Sequence, residues 1–447
     1  MKAFLLAVAV ALLVCPTSHA AAPRVRVDVR ELPARDAWRV TINYSRPVDG
    51  ILFDATRTPF RSGRWSIVEP RDAAWSIING KDAIAFARRR QRVIVEFSSD
   101  YRPREKDYRV NVPFSDGSRL LYTGHLRSRP LIDVGIFDPA KPIDHDWTFH
   151  TDAMRDVRVH ARRGRGGLRW WNSDDDTYAY FGRIHPVETE RLVLVVDPGL
   201  PTWVVPQLER FIPQQFAFFA RQTATELDFK PLVLLSYGGP RGSGLSFSGG
   251  TLPGVVQIEL LGAGWSIESE ESTHTWYRRL AHEIFHLWDG QMFQPNADAE
   301  WLSEAAAEYF ALLAMRDARM LDDDGVDAAI VEATNDCLAN LGDASILAGP
   351  FRNYYTCGMV TQAIADRALG GIATIYRCIF AEARAHRRHY GNGDFLDAVD
   401  HDRDLEQLVT AGITGDRQQF FVDALQRAGI AVSVSSDGRR LQREPRR

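Results

Sequence analysis

The hydrophobic period of this chain changes near Arg191, and that change limits the architectures open to it. Over about 23–186 apolar residues alternate singly with polar ones in short runs. Arg24-Val25-Arg26-Val27-Asp28-Val29 has period two, and Arg92-Val93-Ile94-Val95-Glu96-Phe97 follows it more loosely. Asp49-Gly50, Asn79-Gly80 and Asp116-Gly117 punctuate these runs as turns. Such a pattern predicts an antiparallel β-sandwich. Beyond Arg191 the texture differs. Leu192-Val193-Leu194-Val195-Val196 is a continuous apolar strand, a helical stretch follows over about 206–227, and further strands fall at 231–237 and 254–260 around a Gly/Ser-rich loop, 238–250. From Ser272 to about Ile430 the period is helical, and 433–447 is a polar tail. A chain of 447 residues exceeds one ordinary core. The expectation is therefore multidomain: a β domain over 21–188, then an α+β domain over 189–432 whose C-terminal part is helical.

The N-terminus carries a separate message. Met1-Lys2, the apolar run from Phe4 to Val14, and Ser18-His19-Ala20 have the three-part layout of a secretory signal peptide, 1–20. No later segment reaches the roughly 18 apolar residues of a membrane span, so an exported protein with no stable membrane anchor is expected, periplasmic or secreted. Signal removal takes Cys15 with it and leaves Cys337, Cys357 and Cys378. Three cysteines in an oxidising compartment permit one disulfide and one leftover thiol, and the sequence leaves the pairing open. A formal net charge of −4 argues against nucleic acid as a main partner. The oligomeric state is not readable.

The chemistry concentrates in the helical half. His282-Glu283-Ile284-Phe285-His286 lies in a helix-patterned segment, and residues four apart share a helical face. Both imidazoles can therefore reach one metal ion, with Glu283 beside them as a carboxylate base. The other positions, Trp276, Leu280, Ile284, Phe285, Leu287 and Trp288, are apolar, as a helix buried beneath a cleft requires. A second helix opens at Trp301-Leu302-Ser303-Glu304 and places Glu304 and Glu308 on one face. Glu304 completes a His₂Glu set with a fourth position open, the arrangement of a catalytic Zn2+ rather than a structural one. Glu308, one turn on, is placed to accept a hydrogen bond from a ligand imidazole.

The stretches His282-Glu283-Ile284-Phe285-His286-Leu287-Trp288-Asp289 and Trp301-Leu302-Ser303-Glu304-Ala305 resemble the gluzincin peptidases, and most of all the glycyl aminopeptidase family. Tyr354-Tyr355-Thr356-Cys357-Gly358 is similar to that family's Tyr-Tyr-x-Lys-Gly stretch. The resemblance implies a thermolysin-like domain after the β domain, a zinc-dependent hydrolysis of peptide or protein substrates, and Tyr355 as donor to the transition-state oxyanion. A phenol opposite the metal suits that role.

Three departures qualify it. Only 17 residues separate His286 from Glu304, Cys357 stands where the family has lysine, and Gly254-Val255-Val256-Gln257-Ile258 occupies the place of the family's Gly-Gly-Leu-Glu-His edge strand. Gln257 there replaces the carboxylate that grips a substrate's amino terminus. On this reading Gly254, Val256 and Gln257 line the substrate strand, and aminopeptidase specificity is relaxed or absent. The family's C-terminal PDZ domain is also expected to be missing. Two alternatives stay open: a true aminopeptidase that grips the amine with another acid, such as Glu268, Glu270 or Glu271, and a non-catalytic binding protein on a peptidase fold. An intact Glu283 weighs against the second.

Overall fold

A computed structural model describes residues 24–53, 59–99, 108–132, 135–136, 143–172, 176–341 and 345–444. The expected signal peptide lies outside the described residues. The period-two half folds as two packed sheets. Among the described residues the larger runs in the order Gly167–Asn172, His145–His150, Val25–Leu32, Ala37–Phe53, Lys81–Ser98, Trp65–Glu69, with shorter strands attached. Its pairs are antiparallel except one: Val25–Leu32 runs parallel to His145–His150. The chain reaches His145 only after passing through the second sheet, so no hairpin sets the direction of that pair.

The second sheet orders Arg162–Arg165, Asp156–Val159, Tyr178–Gly182, Arg119–Tyr122, Asn111–Pro113. Alternation along its strands fills both faces. Leu121, Val157, Ala179 and Phe181 turn toward the large sheet, where Phe181 meets Trp38 edge-on at 4.7 Å. Leu120, Tyr122, Tyr178 and Tyr180 turn the other way, into a core shared with Val193, Val195, Leu232, Leu234 and Val255 of the next domain. This sheet is the middle layer of three.

The next domain begins with a sheet ordered Val187–Glu188, Val193–Val196, Leu232–Tyr237, Val255–Leu261, Ser246–Leu252. The central pairs are parallel and the last is an antiparallel hairpin. Its turn is Pro253-Gly254, where Gly254 takes φ +65°, a conformation suited to glycine at the second turn position. The face opposite the β domain carries Leu194, Leu235, Val256 and Ile258 into a helical core. Against it lie α1 (Val204–Thr223) and α2 (Glu270–Phe285). Next comes α3 (Glu300–Asp317), buried on nearly every side as the central helix, followed by α4 (Asp323–Leu341) and α5 (Thr356–Ala368).

Two expectations change here. The loop expected at 238–250 contains the strand Ser246–Leu252, and that strand forms the edge, so Val255–Leu261 is paired on both sides. The polar tail is also partly ordered. Val432–Val434 pairs with Leu441–Arg443, and Asn335 of α4 brackets Leu441, its Oδ1 accepting from the backbone N–H at 2.7 Å and its Nδ2 donating to the carbonyl at 2.9 Å. A side-chain amide there replaces the strand partner that a two-stranded ribbon lacks. Cys337 of α4 and Cys357 of α5 form a disulfide, and Cys378 is a free, exposed thiol. No helix of the described residues is long and apolar enough to cross a membrane.

Candidate metal centre

Helix α2 delivers the first two groups, and local sequence accounts for its placement. Ser269 caps it reciprocally with Ser272, whose N–H donates to Ser269 Oγ at 3.1 Å. Glu270 and Glu271 fill the first turn, where the helix dipole favours acids. Trp276, Tyr277, Leu280, Ile284 and Phe285 are all at most 1% exposed, which fixes the rotation of the helix. Each such burial contributes about 1.5–3 kcal/mol. What remains facing the cleft is His282, Glu283 and, at the C-cap, His286.

Helix α3 crosses α2 with Phe285 and Phe310 stacked at 4.5 Å, and this brings Glu304 to the imidazoles. One ligating atom each from His282, His286 and Glu304 lies within 4.8 Å of the other two. The Nε2 atoms of the two histidines face each other at 3.2 Å, and Glu304 Oε2 stands 3.3 Å from one and 3.6 Å from the other. The far sides of both rings are engaged. His282 Nδ1 lies 3.2 Å from Glu308 Oε1, somewhat off the line of a straight hydrogen bond. His286 Nδ1 lies 3.2 Å from the Asp289 carbonyl and 3.2 Å from Ser303 Oγ. Acceptors at Nδ1 hold the proton there and leave the Nε2 lone pairs to converge.

The electrostatics couple the imidazoles to the carboxylates around them. Burial alone would push the His282 pKa down, but Glu304 and Glu308 outweigh it and raise it to about 10. Burial would likewise raise Glu304, and the two imidazoles instead hold it well below the usual carboxylate range. Glu308 is also depressed against burial, chiefly by Arg278 and then by His282 and Arg279. Arg278 donates to Glu308 Oε2 at 2.7 Å and Arg279 to Oε1 at 3.3 Å. Without an ion the imidazoles hold protons against these carboxylates, and a metal cation entering between them would displace those protons. Glu304 Oε2 is buried with no well-formed hydrogen bond, the condition of an oxygen suited to a cation. Two imidazole nitrogens and one carboxylate oxygen, each backed by a further partner, fit zinc.

Tyr355 precedes α5, its ring stacked on His282 with centroids 6.0 Å apart. Burial, then the Glu304 carboxylate to which its hydroxyl hydrogen-bonds, raise the phenol's pKa, so it stays a protonated donor. Gly358 sets the height of this helix over α3, because a Cβ there would come within 2.7 Å of Ala305 Cβ. Glu283 is 8% exposed and is reached by Thr251 from the edge strand.

The expected substrate-binding residues lie elsewhere. Gln257 is 4% exposed and alternates with Val256 and Ile258, so it faces the β domain while they face the helices. Val256 is core. Gly254 is in the hairpin turn, its N–H donating to Gln291 Oε1 at 2.8 Å. Val255–Leu261 is an interior strand, so these positions do not lie on the edge of the sheet. Glu270 and Glu271 sit at the opposite end of α2 from His282, about 18 Å away at 1.5 Å per residue. Glu268 precedes them and accepts from Gln207 at 2.7 Å. None of the three reaches the cluster. Thr251 and Arg278 escaped the sequence reading. Arg278 is one turn before His282 and was accessible by spacing, whereas Thr251 required the sheet order.

No known protein-family model matches this chain, and no curated protein matches it. Solved structures do. An aminopeptidase N family protein from Idiomarina loihiensis superposes with a TM-score of 0.67 at 12% identity, covering 92% of this chain and 79% of that one. Native yeast LTA4 hydrolase superposes with a TM-score of 0.54 at 11% identity over 90% of this chain and 70% of its own. The same enzyme in complex with bestatin gives 0.54 and 11% over 89% and 68%. The chain therefore shares the fold of these structures, an N-terminal β-sandwich domain joined to an α+β domain with a helical C-terminal part.

Proposed function

We propose that this protein is an exported zinc-dependent metallopeptidase, of glycyl aminopeptidase-like descent within the gluzincins. The observation that carries the reading is the convergence of His282 Nε2, His286 Nε2 and Glu304 Oε2 beside Glu283. Zinc held by these three groups supplies a Lewis acid that polarises the scissile carbonyl and acidifies water. Glu283 takes the proton of the attacking water and passes it to the leaving amine. Tyr355 donates its hydroxyl to the developing oxyanion. The strand Ser246–Leu252, which has no further strand on its outer side among the described residues, takes the substrate backbone by strand addition. The Cys337–Cys357 disulfide supports an oxidising compartment and hence export.

The test is zinc stoichiometry on purified protein together with cleavage of a mixed peptide library. About one zinc per chain and chelator-sensitive cleavage are expected. A protein that binds zinc and cleaves nothing would favour the binding-protein reading.

Specificity follows from the corrected edge. Ser246-Phe247-Ser248-Gly249-Gly250-Thr251-Leu252 contains no acid, and Glu259 on the neighbouring strand is paired with Arg109 of the β domain at 2.5 Å. A carboxylate on a substrate ammonium is worth on the order of 1.5–3 kcal/mol, and this strand does not provide it. N-acetylated and free peptides of matched sequence should be cleaved at rates within about threefold of each other, where a charge-assisted grip would separate them by tenfold or more. A strict need for the free amine would overturn this and restore the aminopeptidase reading.

Glu308 contributes at one remove. Glu308→Ala should weaken zinc binding about 10- to 100-fold by releasing His282 Nδ1, read by competition with a chelating dye. Unchanged affinity would reduce Glu308 to a partner of Arg278 and Arg279.

A further inference from the structure

The edge strand and the base are tied together by one hydroxyl. Thr251 Oγ donates to the main-chain carbonyl of Glu283 at 2.7 Å and also lies 3.2 Å from Glu283 Oε2. The carbonyl is available because α2 ends at Phe285. Leu287 N–H, which would serve it in a continuing helix, bonds Ile284 O instead. The side chain faces the helix by strand parity: Phe247 packs on the helical core, while Leu252 faces the β domain. From the other side Tyr108 of the β domain donates to the Thr251 carbonyl at 3.2 Å, and a Cβ on Gly250 would come within 2.9 Å of its ring. Thr251 is thus held from below while it holds Glu283 above.

We propose that Thr251 is the positioning residue of the catalytic base, its one hydroxyl proton shared between the Glu283 carbonyl and Oε2 in a three-centre hydrogen bond so that Oε1 is the oxygen that receives the proton. The inference rests on the peptidase reading. A base held at one point only can swing about its χ angles, and a misplacement of about 1 Å is enough to slow a proton transfer substantially. Because the same strand is the one offered to the substrate backbone, the base and the bound peptide share one rigid support. A hydroxyl is required and a β-branched hydrocarbon of the same shape does not suffice, which separates this role from strand packing.

The experiment uses the zinc-loaded full chain and compares wild type with T251V, T251S and T251A. T251V keeps the volume and the strand preference but lacks the donor. Its kcat should fall about tenfold with KM within about twofold, and T251S should restore most of the loss. Crystal structures give a readout independent of turnover: the Glu283 carboxylate should move in T251V and stay in place in T251S. If T251V does not fold, T251A carries the same two readouts. T251V with wild-type kcat, or with Glu283 unmoved, overturns the inference and leaves the peptidase reading intact. Zinc-loaded wild type that cleaves no peptide overturns both.

Discussion

Glu283→Gln is expected to keep the fold and its zinc and to lose at least ~100-fold in turnover. The change swaps one oxygen for an amide nitrogen, so side-chain volume is preserved and the contact from Thr251 Oγ can persist to the amide oxygen. Neither His282 nor His286 uses Glu283 as its hydrogen-bond partner, so the ligand geometry has no reason to shift. On the proposed mechanism, what disappears is the ability to take a proton from water and return it to the leaving amine. Metal content and kcat measured on the same preparation check the prediction. Retained zinc with turnover close to wild type would place the base elsewhere.

Removing a ligand should act on the metal itself. His286→Ala and Glu304→Ala are each expected to take zinc from about one per chain to nearly none after dialysis against a mild chelator, and activity with it. Zinc binding at a complete site is worth roughly 10–16 kcal/mol. Shared among four positions that is about 2.5–4 kcal/mol per ligand, a loss on the order of 10²–10³-fold in affinity. Glu304→Ala has a second consequence. It removes the carboxylate that stands beside both imidazoles and the Tyr355 hydroxyl, so that variant also frees Tyr355. Full zinc occupancy in either variant would exclude that residue as a ligand.

What could be read from the sequence and what could not divides along local and non-local geometry. The positions of His282, Glu283, His286, Glu304 and Glu308 are legible because spacing on a helix fixes direction, and the structure brings His282, His286, Glu304 and Glu308 close together. Tyr355 was reachable only through the resemblance, since its approach to His282 depends on how α5 crosses α3. The order of strands in a sheet is a non-local fact. Val255–Leu261 has the composition of a strand, while Ser246–Leu252, rich in serine and glycine, reads as a loop and becomes a strand through backbone pairing with its neighbour. The burial of Gln257 and the approach of Thr251 to Glu283 both depend on that order. The parallel pairing of Val25 with His145 was hidden likewise.

The middle sheet has a consequence for what counts as a unit of this protein. Leu120, Tyr122, Tyr178 and Tyr180 belong to the β domain by chain order, yet they bury their surface against Val193, Leu232 and Val255 of its neighbour. Cutting near residue 188 would leave both fragments with a raw apolar face and would also withdraw Tyr108 from the carbonyl of Thr251. The sandwich is therefore no detachable appendage that could be lost, exchanged or trimmed while the helical half stayed as it is. Damage to it, by a substitution far from His282, would reach the strand beside Glu283, because the rim of the cleft stands on its foundations.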